Sequence, residues 1–371
     1  MAKTWNILVL NLGSTSSKVA YAQNEKIVTQ MEKQHDMNDL RALTTADVTI
    51  AFYKKIIDEF IESLPIPMSE MDAIAVRGNG KMGAYKHGAY RLTPDMVNRE
   101  PRNGGIGHKG LFASSIIGSD LSEEYGIPAY LYDVVPVDEL PLIATITGLA
   151  DYRRRGASHT LNCRAVAFKV AKEMGKDPNK VTFLISHMGG GFTTLLYKDG
   201  RIADTSSAEE GSFTPERVGK VGMSFMMELM RKNPSPEELD RILRRDVGIY
   251  GHLGTSDCQE VERRIAAGDK KAEAVYQAMA YMVSKDLGSM AAAAAGKVDA
   301  VILTGGIAHS KLFTGWIADR LSFVAPVVVV PGAMEMEALA GGITRVLNGE
   351  EQVNDYAEVR NLRPFEELEE K

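Results

Sequence analysis

The chain has 371 residues, 44% of them hydrophobic, and a formal charge of -6. That length outgrows a single core, so two domains are expected, and with no Lys/Arg-rich block nucleic acid is not an expected partner. Two cysteines, Cys163 and Cys258, without CxxC spacing suggest neither a thiolate metal site nor a disulfide framework, and no signal-like N-terminus or membrane-length apolar run is present, so a cytoplasmic protein is expected.

The first stretch that carries chemistry is NILVLNLGSTSSKVAYAQNEKIV, residues 6–28. Apolar runs broken by polar turns predict three strands joined as hairpins. A turn that only reverses the chain needs a Gly or an Asn. This one holds Asn11, Gly13, Ser14, Thr15, Ser16, Ser17 and Lys18. GSTSSK lacks the second Gly of a Walker A loop and runs into a strand rather than a helix. Its hydroxyls suit phosphate contact as donors and Lys18 suits it as a point charge, with a plain polar turn as the simpler alternative. A helix over 45–64, a strand over 73–76, a helix near 109–126 and a strand over 129–133 follow. AVRGNG sets Arg77 at a strand end beside glycines, where a guanidinium can grip a carboxylate or phosphate. LYDVV sets Asp133 at the end of an apolar strand, where an unpaired carboxylate is costly unless it binds a cation.

Residues 181–204, VTFLISHMGGGFTTLLYKDGRIAD, repeat the opening pattern, with Asp199-Gly200 as a hairpin signal. Laid over the first stretch without gaps, Asn11 falls on His187, Gly13 on Gly189 and Tyr21 on Tyr197. One hairpin unit is therefore expected to open each half. Gly189, Gly190 and Gly191 each permit positive φ and close backbone approach to a ligand, and His187 ends the strand before them. FTPERVG frames Arg217 between Pro215 and Gly219. A helix over 269–295, a strand over 300–304, a helix near 315–321, a strand over 327–330 and a helix over 335–348 complete the chain. VILTGGIAHS puts Gly305 and Gly306 in a strand-to-helix turn of the kind that receives a nucleotide. Glu335 opens the last helix, where interaction with the helix dipole explains it by itself. Hairpins followed by alternating helices and strands make the expected fold class α/β, two domains with mixed sheets across a cleft, their turns offering backbone N–H groups to anions.

In chain order NLGSTSSK, VRGNG, the segment around His108, YLYDVVPVDELP, SHTLN around His159, SHMGGG, FTPERVG, YGHLGTSD, LTGGIAHSKLF and PGAMEMEALA together resemble the acetokinase family, most closely its butyrate kinase branch. The resemblance implies two duplicated actin-like (ribonuclease H-like) domains with ATP in the cleft between them. The N-terminal domain would cover 1–150, with 339–371 packing back on it, and the nucleotide-binding domain 151–338. It also implies roles by position. Asn11, Gly13, Ser14, Ser16 and Lys18, with Gly189, Gly190 and Gly191, match the phosphate-side segments. Arg77 and Arg217 match the arginines that flank the carboxylate and the transferring phosphoryl group, and His187 the histidine that stabilises that group. Asp133 and Glu335 match acidic positions associated with Mg²⁺, His108 and His159 the substrate side, and Gly305, Gly306 and Ile307 the nucleoside segment.

The implied reaction is butyrate plus ATP giving butanoyl phosphate and ADP by direct in-line transfer, in a homo-oligomer of at least two chains that contacts no membrane. Alternatives are a kinase for acetate, propionate or a branched acid, or a non-catalytic nucleotide switch. After Arg77 stands Gly78-Asn79-Gly80-Lys81-Met82 where the branch has Gly-Gly-Leu-Leu, so the acyl chain length stays open. A carboxylate, with a reference pKa about 4, is already ionised at neutral pH and needs no general base. The obstacle is an anion approaching a polyanion, a repulsion of roughly 4 kcal/mol at an effective dielectric near 20. Arg77, Arg217, Lys18 and Mg²⁺ would offset it.

Overall fold

The computed structural model of the chain describes residues 3–13, 16–78, 86–94, 96–97, 109–206 and 210–359. It divides into unit 1, Met1–Glu139 with Met334–Lys371, and unit 2, Leu140–Ala333. Each has its own sheet and its own hydrophobic core.

In unit 1 the strands are β1 (Asn6–Leu12), β2 (Ser16–Gln23), β3 (Lys26–Gln34), β4 (Ala73–Arg77), β5 (Ala89–Arg91), β6 (Ala129–Tyr132) and, after the excursion through unit 2, β12 (Val353–Asn354). In unit 2 they are β7 (Thr182–Met188), β8 (Phe192–Lys198), β9 (Arg201–Ser206), β10 (Ala300–Gly305) and β11 (Val327–Pro331). The sheet orders are β12-β5-β6-β4-β1-β2-β3 and β11-β10-β7-β8-β9. The run β6-β4-β1-β2-β3 matches the whole second sheet in order and in direction. Three strands are parallel and the hairpin strands return antiparallel. Both sheets are mixed and the fold class is α/β, as the hairpin-then-alternation pattern predicts.

The central strands explain their own place. Ile7, Leu8, Val9 and Leu10 are fully buried, as are Phe183, Leu184 and Ile185. Such unbroken apolar runs suit strands covered on both faces. Helix Ala46–Glu62 starts where Thr45 Oγ1 accepts from Val48 N, and helix Lys270–Ala293 where Asp269 accepts from Ala272 N. Helix Glu335–Leu347 packs across β1 and β4. Among the described residues no helix is long and apolar enough to cross a membrane.

The gapless overlay of the two hairpins needs a correction. The last β1–β2 pair, Leu12 with Ser17, leaves four residues between them, whereas the last β7–β8 pair, Met188 with Phe192, leaves three. The overlay therefore holds through Asn11 and His187 and slips by one beyond the turn. Tyr21, opposite Leu8, corresponds to Leu196, opposite Leu184, not to Tyr197. A register shift falls just after each of these two positions, between Tyr21 and Ala22 and between Leu196 and Tyr197. A helix not anticipated from the sequence, Thr160–Glu173, follows His159, and the helix expected near 315 already begins at Lys311.

Candidate functional site

In unit 1 the site grows from the ends of parallel strands. Asn11 lies opposite Lys18 on β2 and opposite Arg77 on β4. The Asn11 Oδ1 accepts from Arg77 Nη1 at 3.1 Å, and its Nδ2 donates to Glu335 Oε2 at 2.9 Å. Arg77 Nη1 also donates to Glu335 Oε2 at 3.0 Å, closing a ring of three hydrogen bonds. All three side chains are largely buried, so these charge-assisted bonds hold the guanidinium plane in one orientation. Among the described residues the rest of the Arg77 fork and the second Glu335 oxygen carry no partner.

Asp133 sits just beyond β6, at φ 46, and is buried. The expectation that its carboxylate lacks a protein partner is not met. Oδ1 accepts from Gly88 N at 2.7 Å, and Asp133 N donates to Gly88 O. Lys18 reaches across to Glu32 at 3.6 Å, and Gly13 N donates to Ser16 O to close the first turn. Beneath that turn Tyr53 donates to Gly13 O at 3.0 Å, its phenol pushed up to about 12 by burial. Ser17 Oγ meets His35 Nε2 at 2.8 Å. Ser14, His108 and the segment 79–82 lie outside the described residues.

In unit 2 the corresponding position is His187, opposite Thr193 on β8 and Thr304 on β10. Asn162, fully buried on the helix after His159, bonds His187 Nδ1 at 2.8 Å and Thr304 Oγ1 at 3.2 Å through its Nδ2. Thr304 spends its own proton on Gly332 O, so it must accept from Asn162, which fixes the amide's orientation. His187 Nδ1 therefore accepts, and the neutral ring carries its proton on Nε2. The His159 ring stacks on His187 at 4.2 Å between centroids, with its Nδ1 2.8 Å from Thr193 Oγ1. Asn162 escaped the sequence reading although it sits inside the SHTLN segment; the signal was its place one helical turn after His159.

Gly189, Gly190 and Gly191 are all outside the positive-φ region, so of the two freedoms expected of them they do not use the first. What they supply is an uncovered backbone: a methyl group on Gly191 would meet nothing within 4 Å, and one on Gly190 would come 3.2 Å from Glu216. Gly305 does use its freedom, at φ 91, where a Cβ would lie 2.4 Å from Met188 O. Gly306 and the half-buried Ile307 form a single 3-10 turn, after which Ser310 caps helix Lys311–Leu321. Arg217 is exposed, and among the described residues its side chain has no hydrogen bond or ion pair.

Among the described residues no group of three or more His, Cys, Asp or Glu side chains is set to hold a metal. A hard cation bound largely by substrate phosphates and water needs only one or two carboxylates, and among the described residues the second oxygen of Glu335 carries no partner.

A family model described as the acetokinase family matches residues 129–314. The protein named "Probable butyrate kinase 2" from Caldanaerobacter subterraneus is 37% identical over 354 residues, 95% of this chain and 99% of that one. "Butyrate kinase 2" of Clostridium acetobutylicum is 36% identical over 357 residues, with 95% and 99% covered. Among solved structures, the acetate kinase of Porphyromonas gingivalis superposes with a TM-score of 0.72 over 92% of this chain and 99% of that one, at 19% identity, which is a likeness of fold.

Proposed function

The chain belongs to the acetokinase family, and from that membership we propose that it transfers the γ-phosphoryl group of ATP directly to the carboxylate of butyrate, giving butanoyl phosphate and ADP. One observation carries the substrate: identity of 36% and 37% across 95% of the chain with two proteins named as butyrate kinases.

The side chains supply what such a transfer requires. The acceptor is ionised, so no residue has to take its proton. Arg77, oriented by Asn11 and Glu335, offers the remaining edge of its fork to the carboxylate. Arg217 offers a guanidinium to the planar, anionic group in transit, and His187 Nε2 donates to the same oxygens as a neutral group. Gly189, Gly190 and Gly191, with Asn11, Gly13, Ser14, Ser16 and Lys18, serve the phosphates; Gly305, Gly306 and Ile307 serve the nucleoside; His108 and His159 serve the acyl substrate. Glu335, with Asp133, would hold Mg²⁺, which when bound neutralises phosphate charge.

The test is a series of acids from acetate to valerate, with isobutyrate, assayed for ATP-dependent acyl phosphate trapped by hydroxylamine. Two extra methylenes at roughly 0.8 kcal/mol each favour butyrate over acetate in kcat/KM by about tenfold or more. Equal efficiency for the two would remove butyrate and leave a broader carboxylate kinase. Background rates for every acid, with ATP still bound, would leave a nucleotide switch.

A further inference from the structure

We infer that Asp286 is a positioning residue for Arg217, an assignment that rests on the role proposed above for Arg217. The loop 211–220 that carries Arg217 is tied at its base by Lys220 N donating to Gly211 O at 2.9 Å. Inside it Thr214 N donates to Arg217 O at 3.0 Å, and Thr214 Oγ1 donates to Gly190 O at 2.6 Å, joining this loop to the triple-glycine turn. Ile249 N and Tyr250 N, at the start of helix Gly248–Leu253, donate to Thr214 O and Pro215 O. Gly219, at φ 65, lies where a Cβ would be 2.4 Å from Phe213 N.

One side chain from elsewhere in unit 2 reaches both arms of this loop. Asp286, 2% exposed in the middle of helix Lys270–Ala293, accepts from Ser212 N at 2.6 Å with Oδ2 and from Lys220 Nζ with Oδ1. A carboxylate this deep gains little from the helix ends and is costly unless both oxygens are engaged. Holding Ser212 N requires only a neutral acceptor. The charge serves the second arm, where Lys220 is half exposed and otherwise free to swing. Arg217 lies between the two anchors, five residues after Ser212 and three before Lys220. Its side chain has no partner of its own among the described residues, so the restraint on its position comes from the backbone that Asp286 clamps. A guanidinium that must meet a phosphoryl group within a fraction of an ångström depends on that clamp.

The test is a double-mutant cycle in the full chain. Arg217→Ala alone should lower kcat by about 10²–10³-fold. Asp286→Asn, which keeps the shape and an acceptor for Ser212 N, should lower kcat by about tenfold or more with the KM for ATP unchanged. In the Arg217→Ala background the same substitution should change kcat by less than about twofold, because the positioned group is gone. Lys220→Met, at a half-exposed side chain, should show the same dependence on background and covers the case in which Asp286→Asn fails to fold. Equal losses with and without Arg217, or a fall in Tm with kcat unchanged, would overturn the inference. A normal kcat in folded Arg217→Ala would instead overturn the reading of Arg217 on which it rests.

Discussion

Asn11 and His187 hold the same place in two copies of one hairpin sheet, each facing its returning strand on one side and a parallel neighbour on the other. Around Asn11 the neighbours are Lys18, Arg77 and Glu335, a charged cluster in which a guanidinium is held by an amide and a carboxylate. Around His187 they are Thr193, Thr304, Asn162 and His159, a set of hydroxyl, amide and imidazole groups. One copy is built to fix a cation, the other to fix a tautomer. The difference teaches that a duplicated backbone preserves strand order and turn position while the residues at the strand ends diverge into complementary chemistry.

The largest expected effect breaks the charged copy. Arg77→Ala leaves Glu335 largely buried with, among the described residues, only Asn11 as donor. Activity and stability should fall together: kcat/KM for butyrate by about 10²–10³-fold, and stability by about 1–3 kcal/mol from the unpaired carboxylate. Arg77→Lys restores charge without the fork and should recover only part of the activity. Steady-state kinetics and thermal melts of both variants check this. A folded Arg77→Ala enzyme with near-normal kcat/KM would show that the cluster is architectural.

The neutral copy should respond through the tautomer of one ring, with a fall in Tm as well because the substituted group is fully buried. Asn162→Asp is isosteric but turns the donor facing His187 Nδ1 into an acceptor. The proton is then drawn to Nδ1, and Nε2 loses the hydrogen it offers. The expected loss in kcat is about ten- to a hundredfold, the usual scale for groups that orient a working imidazole. Two-dimensional NMR of the imidazole nitrogens reads the tautomer directly. A changed tautomer with unchanged kcat would take His187 out of the reaction.

How much of this was legible in the sequence depends on the range of each interaction. The strand at 6–12, the Asp199-Gly200 turn and the capped helices at Thr45 and Asp269 are local, and periodicity with caps and turn residues specified them. The overlay of Asn11 on His187 held because both precede the turn. Beyond it, one residue fewer in the second turn shifts the frame, a difference that two similar-looking tyrosines concealed. The partners were not legible. Glu335 meets Asn11 across 324 positions, Asn162 meets Thr304 across 142, and Asp286 meets Lys220 across 66. The bond from Gly88 N to Asp133 was hidden too, because a backbone amide is a group that every residue except proline has and no motif marks.

The smallest expected effect also separates the two hairpins. Ser17 is the residue that pairs with Leu12 across the first turn, and Phe192 is the one that pairs with Met188 across the second. Ser17 is fully buried and bonded to His35, whose ring also lies edge-on to Phe52 and Tyr53; Phe192 is simply apolar. Desolvation lowers the His35 pKa below its ordinary value of 6.5, the nearby Asp39 opposing and Lys33 assisting. The folded chain thus takes up this proton less readily than the unfolded one. Its contribution to stability is complete above the unfolded value and declines as pH falls through 6.5 toward the lower folded value. The slope from one such group cannot exceed about 1.4 kcal/mol per pH unit. Protonation would put a hydrogen on both ring nitrogens, so Nε2 would then donate to Ser17 Oγ. Hydrogen exchange at about pH 7.5 and about pH 5.5, corrected for the intrinsic rate, should show lower protection at the acid value in β2 and β3 but not in β8 and β9. His35→Gln, which keeps a polar partner for Ser17 without a titrating proton, should remove that difference. Equal loss of protection in both hairpins, or a difference that persists in His35→Gln, would assign the acid sensitivity to other groups.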